Sequence, residues 1–502
     1  MGQESSARGA LFPFFVKILD FCDAVWYNEK DMMLSERIMI MDMIQSFFHG
    51  LKTKKTAFIG VGVSHTDLIK MFLSKGLDVT VCDKKSREAM KEYDELSAAG
   101  AKFELGEGYL DGIESGRYDV VFRTPGMYYL SPVLTAARQH GTVVTSEMEV
   151  FFDLCPCPIY ALTGSDGKTT TTTIVAELFA HEGKRVHKGG NIGRALLPII
   201  EDITPDDVAV VELSSFQLIS MRSSPQYAAI TNITPNHLNV HKDMQEYIDS
   251  KANILLHQNA FSVSVLSYDN QTARDLSPLV RGDLRYFSRF SKVDNGAYLD
   301  GDMLVYNDHG TVTPIVDMHD IRIPGMHNVE NYLTAIALTH GKIALETVRT
   351  VAKEFGGVEH RIELVRELDG VKYYNNSIAS SPTRVIACLN TFEQKQIMIM
   401  GGSDKGISFD PMAELVCEKV KLLILLGQTK FKIRDAVMRA ANYTEGNPEM
   451  IVVDTMDEAV KTAHDRAVSG DIVSLSPACA SFDMYRMFEE RGDHFKSLVK
   501  AL

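Results

Sequence analysis

One stretch of seven residues constrains this chain more than any other: Thr163-Gly164-Ser165-Asp166-Gly167-Lys168-Thr169. The apolar run from Ile159 to Leu162 leads into it, and a helical pattern follows from Lys168. A strand, a glycine-rich turn and a helix in that order build a phosphate cradle. Backbone N–H groups of the turn and the positive end of the helix face the anion. Lys168 supplies a point charge to the phosphates, and the Thr169 hydroxyl is placed to ligate a divalent cation. The first glycine of the general P-loop pattern is missing, because Leu162 stands there. The run Thr169 to Thr173 is unusual for a helix, since β-branched side chains lose χ1 freedom there. Hydroxyls turned to a ligand would explain it, and so would packing alone.

The rest of the chain is read outward from that motif. Further apolar strands end in polar residues: Val208 to Glu212, Ala228 to Asn232, Ile397 to Met400, Leu422 to Leu426 and Ile472 to Leu475. Upstream, Thr56 to Gly62 reads as a strand turning on glycine, and Leu77 to Asp83 as the next strand of a βαβ unit. Gly60-Val61-Gly62 alone is a weak dinucleotide signal, because Thr66 and Asp67 stand where a third glycine is sought. A strand from Asp119 ends in the turn Thr124-Pro125-Gly126. This alternation predicts an α/β protein of three domains with mostly parallel sheets. The expected divisions are an N-terminal helical extension over 1–50, then domains over 51–152, 153–356 and 357–502. Ligands in such sheets bind beyond the carboxyl ends of the strands, so chemistry is sought there.

With 502 residues the chain has room for several cores. Its formal net charge of −14 argues against nucleic acid, which needs a concentrated basic face. It leaves room for a nucleotide, which needs only a local cluster of donors. No apolar run reaches the length of about 18 residues that a membrane span requires. Phe15, Ile18, Leu19, Cys22 and Trp26 recur at helical spacing, interrupted by Lys17, Asp20 and Asp23, which reads as an amphipathic helix packed on the protein rather than a signal peptide. The seven cysteines are scattered in the manner of reduced intracellular thiols. Cys155 and Cys157 form the only close pair, with no matching Cys or His cluster to make a zinc site.

Three residues beyond the loop carry chemistry only in company. Glu212 ends an apolar strand, where a carboxylate facing a P-loop suits Mg²⁺. His237, after the Asn232 strand end, would alone be a core or loop residue. Lys251, on the Tyr247-Ile-Asp-Ser-Lys251 segment, would alone be a solvated helix charge.

Together these motifs resemble the Mur ligase family over about residues 55–502. The loop at 163–169 is similar to the family's ATP loop. Gly190-Asn191-Ile192-Gly193 and Glu212-Leu-Ser-Ser-Phe-Gln217 resemble its D-glutamate-adding branch, as do Leu475 to Asp483 and Phe488-Glu-Glu-Arg-Gly-Asp493. The resemblance implies a Rossmann-like UDP-binding domain, a central P-loop ATPase domain and a C-terminal Rossmann-like domain. It implies that ATP phosphorylates the carboxylate of UDP-N-acetylmuramoyl-L-alanine and that the D-glutamate amine attacks the resulting acyl phosphate, in peptidoglycan precursor synthesis. A monomeric cytoplasmic enzyme, releasing ADP and phosphate, is the corresponding expectation.

Residue by residue, the resemblance implies ATP contacts from Gly164, Ser165, Asp166, Gly167, Lys168, Thr169, Thr170, Asn328, Asn331, Arg361 and Asn376. Thr169, Glu212, His237 and a carbamoylated Lys251 resemble the ligands of two Mg²⁺ ions, and with Lys168 the last three resemble the catalytic set. Asn191 resembles a contact to the reacting end of the substrate. Val63, Ser64, Asp83, Lys85 and Thr124 match positions for the uracil and diphosphate. Lys405, Ser481 and Phe488 resemble the D-glutamate pocket. The chain departs from the family at Asn376 and Ile378, where an Asp and a Lys are usual, with Arg384 as a nearby cation. Losing the charge at 376 predicts a handicap on the order of tenfold in rate or ATP affinity, and Asn376→Asp is expected to raise kcat/KM for ATP. Two other readings stay open: a different ligase of the superfamily, such as a folylpolyglutamate synthetase, and a non-catalytic nucleotide-binding descendant.

Overall fold

The computed structural model describes residues 41–62, 65–235 and 240–502. The expected amphipathic helix at Phe15–Trp26, and Val63, Ser64 and His237 of the expected sites, lie outside the described residues. The chain divides into one unit up to Gly50 and a second from Leu51 onward. Of the first, residues 41–50 are helical. Among the described residues no helix is long and apolar enough to cross a membrane.

The second unit is α/β, built on three sheets. The first holds β1 (Lys55–Ile59), β2 (Asp78–Asp83), β3 (Lys102–Leu105), β4 (Val120–Phe122) and β5 (Val143–Thr145). All its pairings are parallel, in the order β3-β2-β1-β4-β5. The order reverses at β1, so the crevice lies beyond Ile59, where the glycine turn begins.

The second sheet contains β6 (Ile159–Thr163), β7 (Val186–Gly190), β8 (Val208–Glu212), β9 (Tyr227–Ile230), β10 (Val263–Ser267), β11 (Asp283–Ser288), β12 (Asn295–Asp300), β13 (Met303–Asp308) and β14 (Thr311–Asp317). Its order is β14-β13-β12-β11-β10-β9-β6-β8-β7. Only β12-β13 and β13-β14 pair antiparallel, as hairpins at one edge. Here β6 lies between β8 and β9, so its carboxyl end delivers the phosphate-type loop to a switch point flanked by the ends of both neighbours. Both faces of β6 and β8 are buried, which explains their unbroken apolar sequences. The core beneath contains Leu162, Val210 and Ala229 from the sheet, with Ile174 and Leu178 of the Lys168–His181 helix and Leu333 of the Met326–Thr339 helix.

The third sheet runs β15-β16-β20-β17-β18-β19. Its strands are β15 (Glu363–Leu368), β16 (Val371–Asn375), β17 (Gln396–Gly401), β18 (Val420–Leu426), β19 (Glu449–Val452) and β20 (Ile472–Leu475). All are parallel except the edge strand β15. The α/β class with mostly parallel sheets is therefore as the sequence predicts. The antiparallel hairpins β12–β14 are an addition.

Candidate functional site

The loop after β6 is held in shape by the residues that follow β9. Asn232 accepts from two successive loop N–H groups through Oδ1, those of Ser165 at 3.2 Å and Asp166 at 2.9 Å. Thr231 Oγ1 donates to the Asp166 carbonyl at 2.6 Å, and Ser165 Oγ donates to the Thr234 carbonyl at 3.0 Å. Gly167 caps the helix with φ +79°, and a Cβ there would stand 2.6 Å from Asn331 Oδ1. Glycine is thus required twice over, for the left-handed backbone and for the close approach of Asn331. Asn331 in turn donates to Asn328 Oδ1 at 2.9 Å and accepts from Thr171 Oγ1 at 3.0 Å. The Met326–Thr339 helix therefore brings both expected asparagines to the start of the loop helix.

The threonine run answers to packing. Thr171 Oγ1 also returns to the Gly167 carbonyl, and Thr173 Oγ1 to that of Thr169 at 2.8 Å. Thr169 and Thr170 occupy the first turn and are partly exposed.

Two lysines meet at this loop. Lys168 Nζ donates to the Gly164 carbonyl at 3.0 Å and the Ser165 carbonyl at 2.9 Å. Lys251 Nζ donates to the Gly164 carbonyl at 2.7 Å and to Thr163 Oγ1 at 3.2 Å, and lies 4.8 Å from the Tyr247 ring centroid. Lys251 is not the solvated helix charge its local sequence suggests: it is 1% exposed. Burial, and then the neighbouring Lys168 charge, push its ammonium well below the ordinary lysine value. Burial also lowers Lys168, against the opposing pull of Glu212 and Asp166.

Glu212, at the end of β8, is the anion of the group. Its Oε1 accepts from Asn191 Nδ2 at 2.8 Å, and the Asn191 N–H donates to the Glu212 carbonyl at 2.8 Å. Its Oε2 is buried and makes no hydrogen bond among the described residues. A buried carboxylate oxygen without a donor, beside a loop of main-chain N–H groups and two ammonium groups, fits a divalent cation and a polyphosphate. Arg361 belongs to the same field, since the Glu212 and Asp166 carboxylates favour its charge against the burial that lowers it. Its neighbours His360 and Ile362 take φ of +61° and +46°, a conformation that costs a non-glycine residue energy and marks the turn that aims Arg361.

At the first sheet, Asp83 is buried and accepts from the main-chain N–H of Val61 at 3.0 Å and of Lys85 at 2.9 Å. A Cβ on Gly60 would lie 3.9 Å from Thr124 and 4.0 Å from Asp83. Asp83, Lys85 and Thr124 thus gather at the carboxyl ends of β1, β2 and β4. Arg123, which no sequence motif singles out, reaches from the end of β4 to the Phe216 carbonyl at 2.8 Å and Ser220 Oγ at 2.6 Å. It ties this edge to the segment just after Glu212.

At the third sheet, Lys405 Nζ donates to the Ser380 carbonyl at 3.4 Å, Ser481 is buried, and the Phe488 ring stands edge-on to His360 at 5.9 Å. The Asn376 carboxamide is engaged at both ends. Nδ2 donates to Ser476 Oγ at 2.7 Å, and Oδ1 accepts from the Ile362 N–H at 3.3 Å. Arg384 donates to the Ile378 carbonyl at 2.7 Å. The expected residues therefore form three groups, one at the carboxyl edge of each sheet, with Arg361 and Arg123 as links.

Comparison with known proteins matches residues 162–339 to the Mur ligase middle domain and residues 360–479 to the Mur ligase glutamate ligase domain. The chain is 48% identical over 463 residues to the UDP-N-acetylmuramoylalanine--D-glutamate ligase of Acetivibrio thermocellus, covering 91% of this chain and 99% of the relative. It is 46% identical over 453 residues to the enzyme of the same name from Clostridium botulinum strain Okra, covering 90% and 98%. Among solved structures, UDP-N-acetylmuramate-alanine ligase from Thermotoga maritima matches with TM-score 0.54 at 18% identity, covering 89% of this chain and 99% of that one. A MurF ligase from Thermotoga maritima in complex with ADP matches with TM-score 0.51 at 16% identity, covering 90% and 99%. These two likenesses speak to the fold.

Proposed function

Since this chain belongs to the Mur ligase family, we propose that it joins D-glutamate to UDP-N-acetylmuramoyl-L-alanine with cleavage of ATP to ADP and phosphate. The observation that carries this reading is the convergence of Lys168, Lys251 and Glu212 on the loop after β6, with Glu212 Oε2 left without a donor among the described residues. A carboxylate is a poor electrophile, and amide formation needs a leaving group on it. Transfer of the terminal phosphoryl group of ATP to the substrate carboxylate supplies one. The amine of D-glutamate then attacks the acyl carbon, a proton leaves the nitrogen, and phosphate departs.

The chain's own residues serve the first step chiefly by charge. Lys168 moves from the Gly164 and Ser165 carbonyls to the phosphoryl oxygens, where a fixed cation stabilises the charge that develops in transfer. Bound Mg²⁺ supplies further neutralisation of those oxygens. Glu212, Thr169 and His237 are its proposed ligands, with a carbamoylated Lys251 holding a second ion. Asn191, hydrogen-bonded to Glu212, orients the reacting carboxylate. Asn328, Asn331, Arg361 and the loop from Gly164 to Thr170 hold the nucleotide.

Asp83, Lys85 and Thr124, with Val63 and Ser64, form the site for the UDP end, and Lys405, Ser481 and Phe488 the site for D-glutamate. The three sheets correspond to three domains divided near residues 152 and 356, in an enzyme that works as a cytoplasmic monomer. Phosphate release measured with each substrate omitted in turn tests the reaction. Release that needs both the UDP-linked acceptor and D-glutamate supports it. Release with another amino acid in place of D-glutamate, or none with any, overturns it.

A further inference from the structure

We propose that Arg491 is the positioning residue of the amino-acid pocket, gathering with one buried guanidinium the three strand-end loops that carry Asn376, Lys405 and Ser481. This rests on the ligase reading above and deepens it. Arg491 lies in the Phe488–Ala501 helix and is 3% exposed. Its Nε donates to Ser377 Oγ at 3.0 Å, and Nη2 donates to the Ser377 carbonyl at 2.8 Å and the Cys479 carbonyl at 3.1 Å. Nη1 donates to the Ala480 carbonyl at 3.2 Å. Ser377, after β16, and Cys479 and Ala480, after β20, are thereby clamped together. The loop after β17 closes the set, because a Cβ on Gly402 would stand 3.1 Å from Arg491 Nη1. Ser377 Oγ passes the contact on, donating to the Phe488 carbonyl at 2.7 Å. Every segment expected to hold the amino acid therefore touches this side chain.

The acceptors are unusual for a buried arginine. All are main-chain carbonyls or a hydroxyl, and among the described residues no carboxylate lies within ion-pair distance of it. Burial brings its pKa down to about 10, so it stays charged at neutral pH. A buried cation without a direct counter-charge is costly and persists where it is needed. The planar fork of donors explains the need in part, because no lysine or amide reaches four acceptors on two loops. The charge explains the rest, since a cation beneath a pocket for a dicarboxylic amino acid raises the local potential there.

The test is steady-state kinetics with D-glutamate, ATP and the UDP-linked acceptor varied separately, on wild type, Arg491→Met and Arg491→Lys. In Arg491→Met the KM for D-glutamate should rise about tenfold or more, the scale of one lost charged hydrogen bond, with the other two KM values within about twofold. Arg491→Lys should fall between. A folded Arg491→Met with an unchanged KM for D-glutamate overturns the proposal, and so does a common shift in all three. If Arg491→Met does not fold, Arg491→Lys decides the matter together with Ser377→Ala, which removes the hydroxyl that Nε donates to and keeps the arginine charge. Unchanged D-glutamate KM in both is equally fatal. A wild-type enzyme that uses another amino acid sinks the substrate assignment alone, and the Arg491 variants are then judged on that amino acid's KM.

Discussion

The ammonium groups of Lys168 and Lys251 share one acceptor, the Gly164 carbonyl oxygen, at 3.0 and 2.7 Å. Two like charges converge there because the loop turns its carbonyls inward while its N–H groups at Ser165 and Asp166 are taken by Asn232. Both ammonium groups are thereby held at the turn by main-chain oxygen. Lys168→Ala should leave the fold intact, since its partners are the carbonyls of the turn rather than the core. Phosphate release should fall by a factor on the order of a hundred to a thousand, the scale for losing one preorganised charge at a reacting oxyanion. A folded variant with near-normal release would refute the assignment.

Lys251 is the better nucleophile of the two. Burial and the Lys168 charge both favour its neutral amine, and a neutral amine adds to carbon dioxide with loss of a proton to give a carbamate. The product is an anion beside Lys168, which replaces a repulsion with an attraction. We expect isotopically labelled bicarbonate to give a carbamate resonance that disappears in Lys251→Ala, and kcat in that variant to drop about a hundredfold. Wild-type rates in Lys251→Ala, or full activity in rigorously decarbonated buffer, would count against carbamoylation.

His65 supplies a pH dependence of stability. Its imidazole is buried, and Nδ1 faces the Gly60 carbonyl at 3.1 Å. Burial lowers its pKa from 6.5 to about 4. Above 6.5 both folded and unfolded chains carry it neutral, and no penalty applies. Between 6.5 and about 4 the unfolded chain takes up the proton first, so stability falls as pH falls through that window. The loss is about 3 kcal/mol when complete. Urea midpoints at pH 7 and pH 5 should separate more in the wild type than in His65→Gln. Equal separations would show that His65 does not contribute.

What could be read from residues alone follows the range of the contacts involved. The loop at 163–169 was legible because strand, turn and helix are contiguous, and Glu212 because its strand announces its own end. The class of the fold was legible for the same reason, since β6, β8 and residues 422–426 of β18 are buried on both faces and read as near-continuous apolar runs. Hidden were the residues whose partners are distant: Asn232 on Ser165, Arg123 on Ser220, and Arg491 on Ser377, at sequence separations of 67, 97 and 114. No local pattern marks an arginine that will clamp a loop rather than sit in water. The Lys251 burial was hidden likewise, because it depends on the strand that its helix covers.

Asn376 brings the two kinds of reading into conflict. The resemblance to the family, where an Asp is usual here, suggests a nucleotide contact weakened by loss of charge, which Asn376→Asp would restore. In the fold, however, the carboxamide is 3% exposed and both its ends are engaged, with Ser476 Oγ at 2.7 Å and the Ile362 N–H at 3.3 Å. It joins the turn that aims Arg361 to the loop that follows β20. An aspartate could still accept from Ile362, but its second oxygen would need the Ser476 hydroxyl to turn and donate. It would also place a charge where no cation is bonded to it. The gain from a charged hydrogen bond is about 1 kcal/mol over a neutral one, whereas burying an unpaired carboxylate costs several. The burial cost wins. Asn376→Asp should therefore lose about 1–3 kcal/mol of stability at neutral pH and show kcat/KM for ATP no higher than wild type. Urea unfolding and ATP-dependent steady-state kinetics on the one variant decide the matter, and a tenfold rise in kcat/KM for ATP would reinstate Asn376 as a nucleotide contact that has lost its charge.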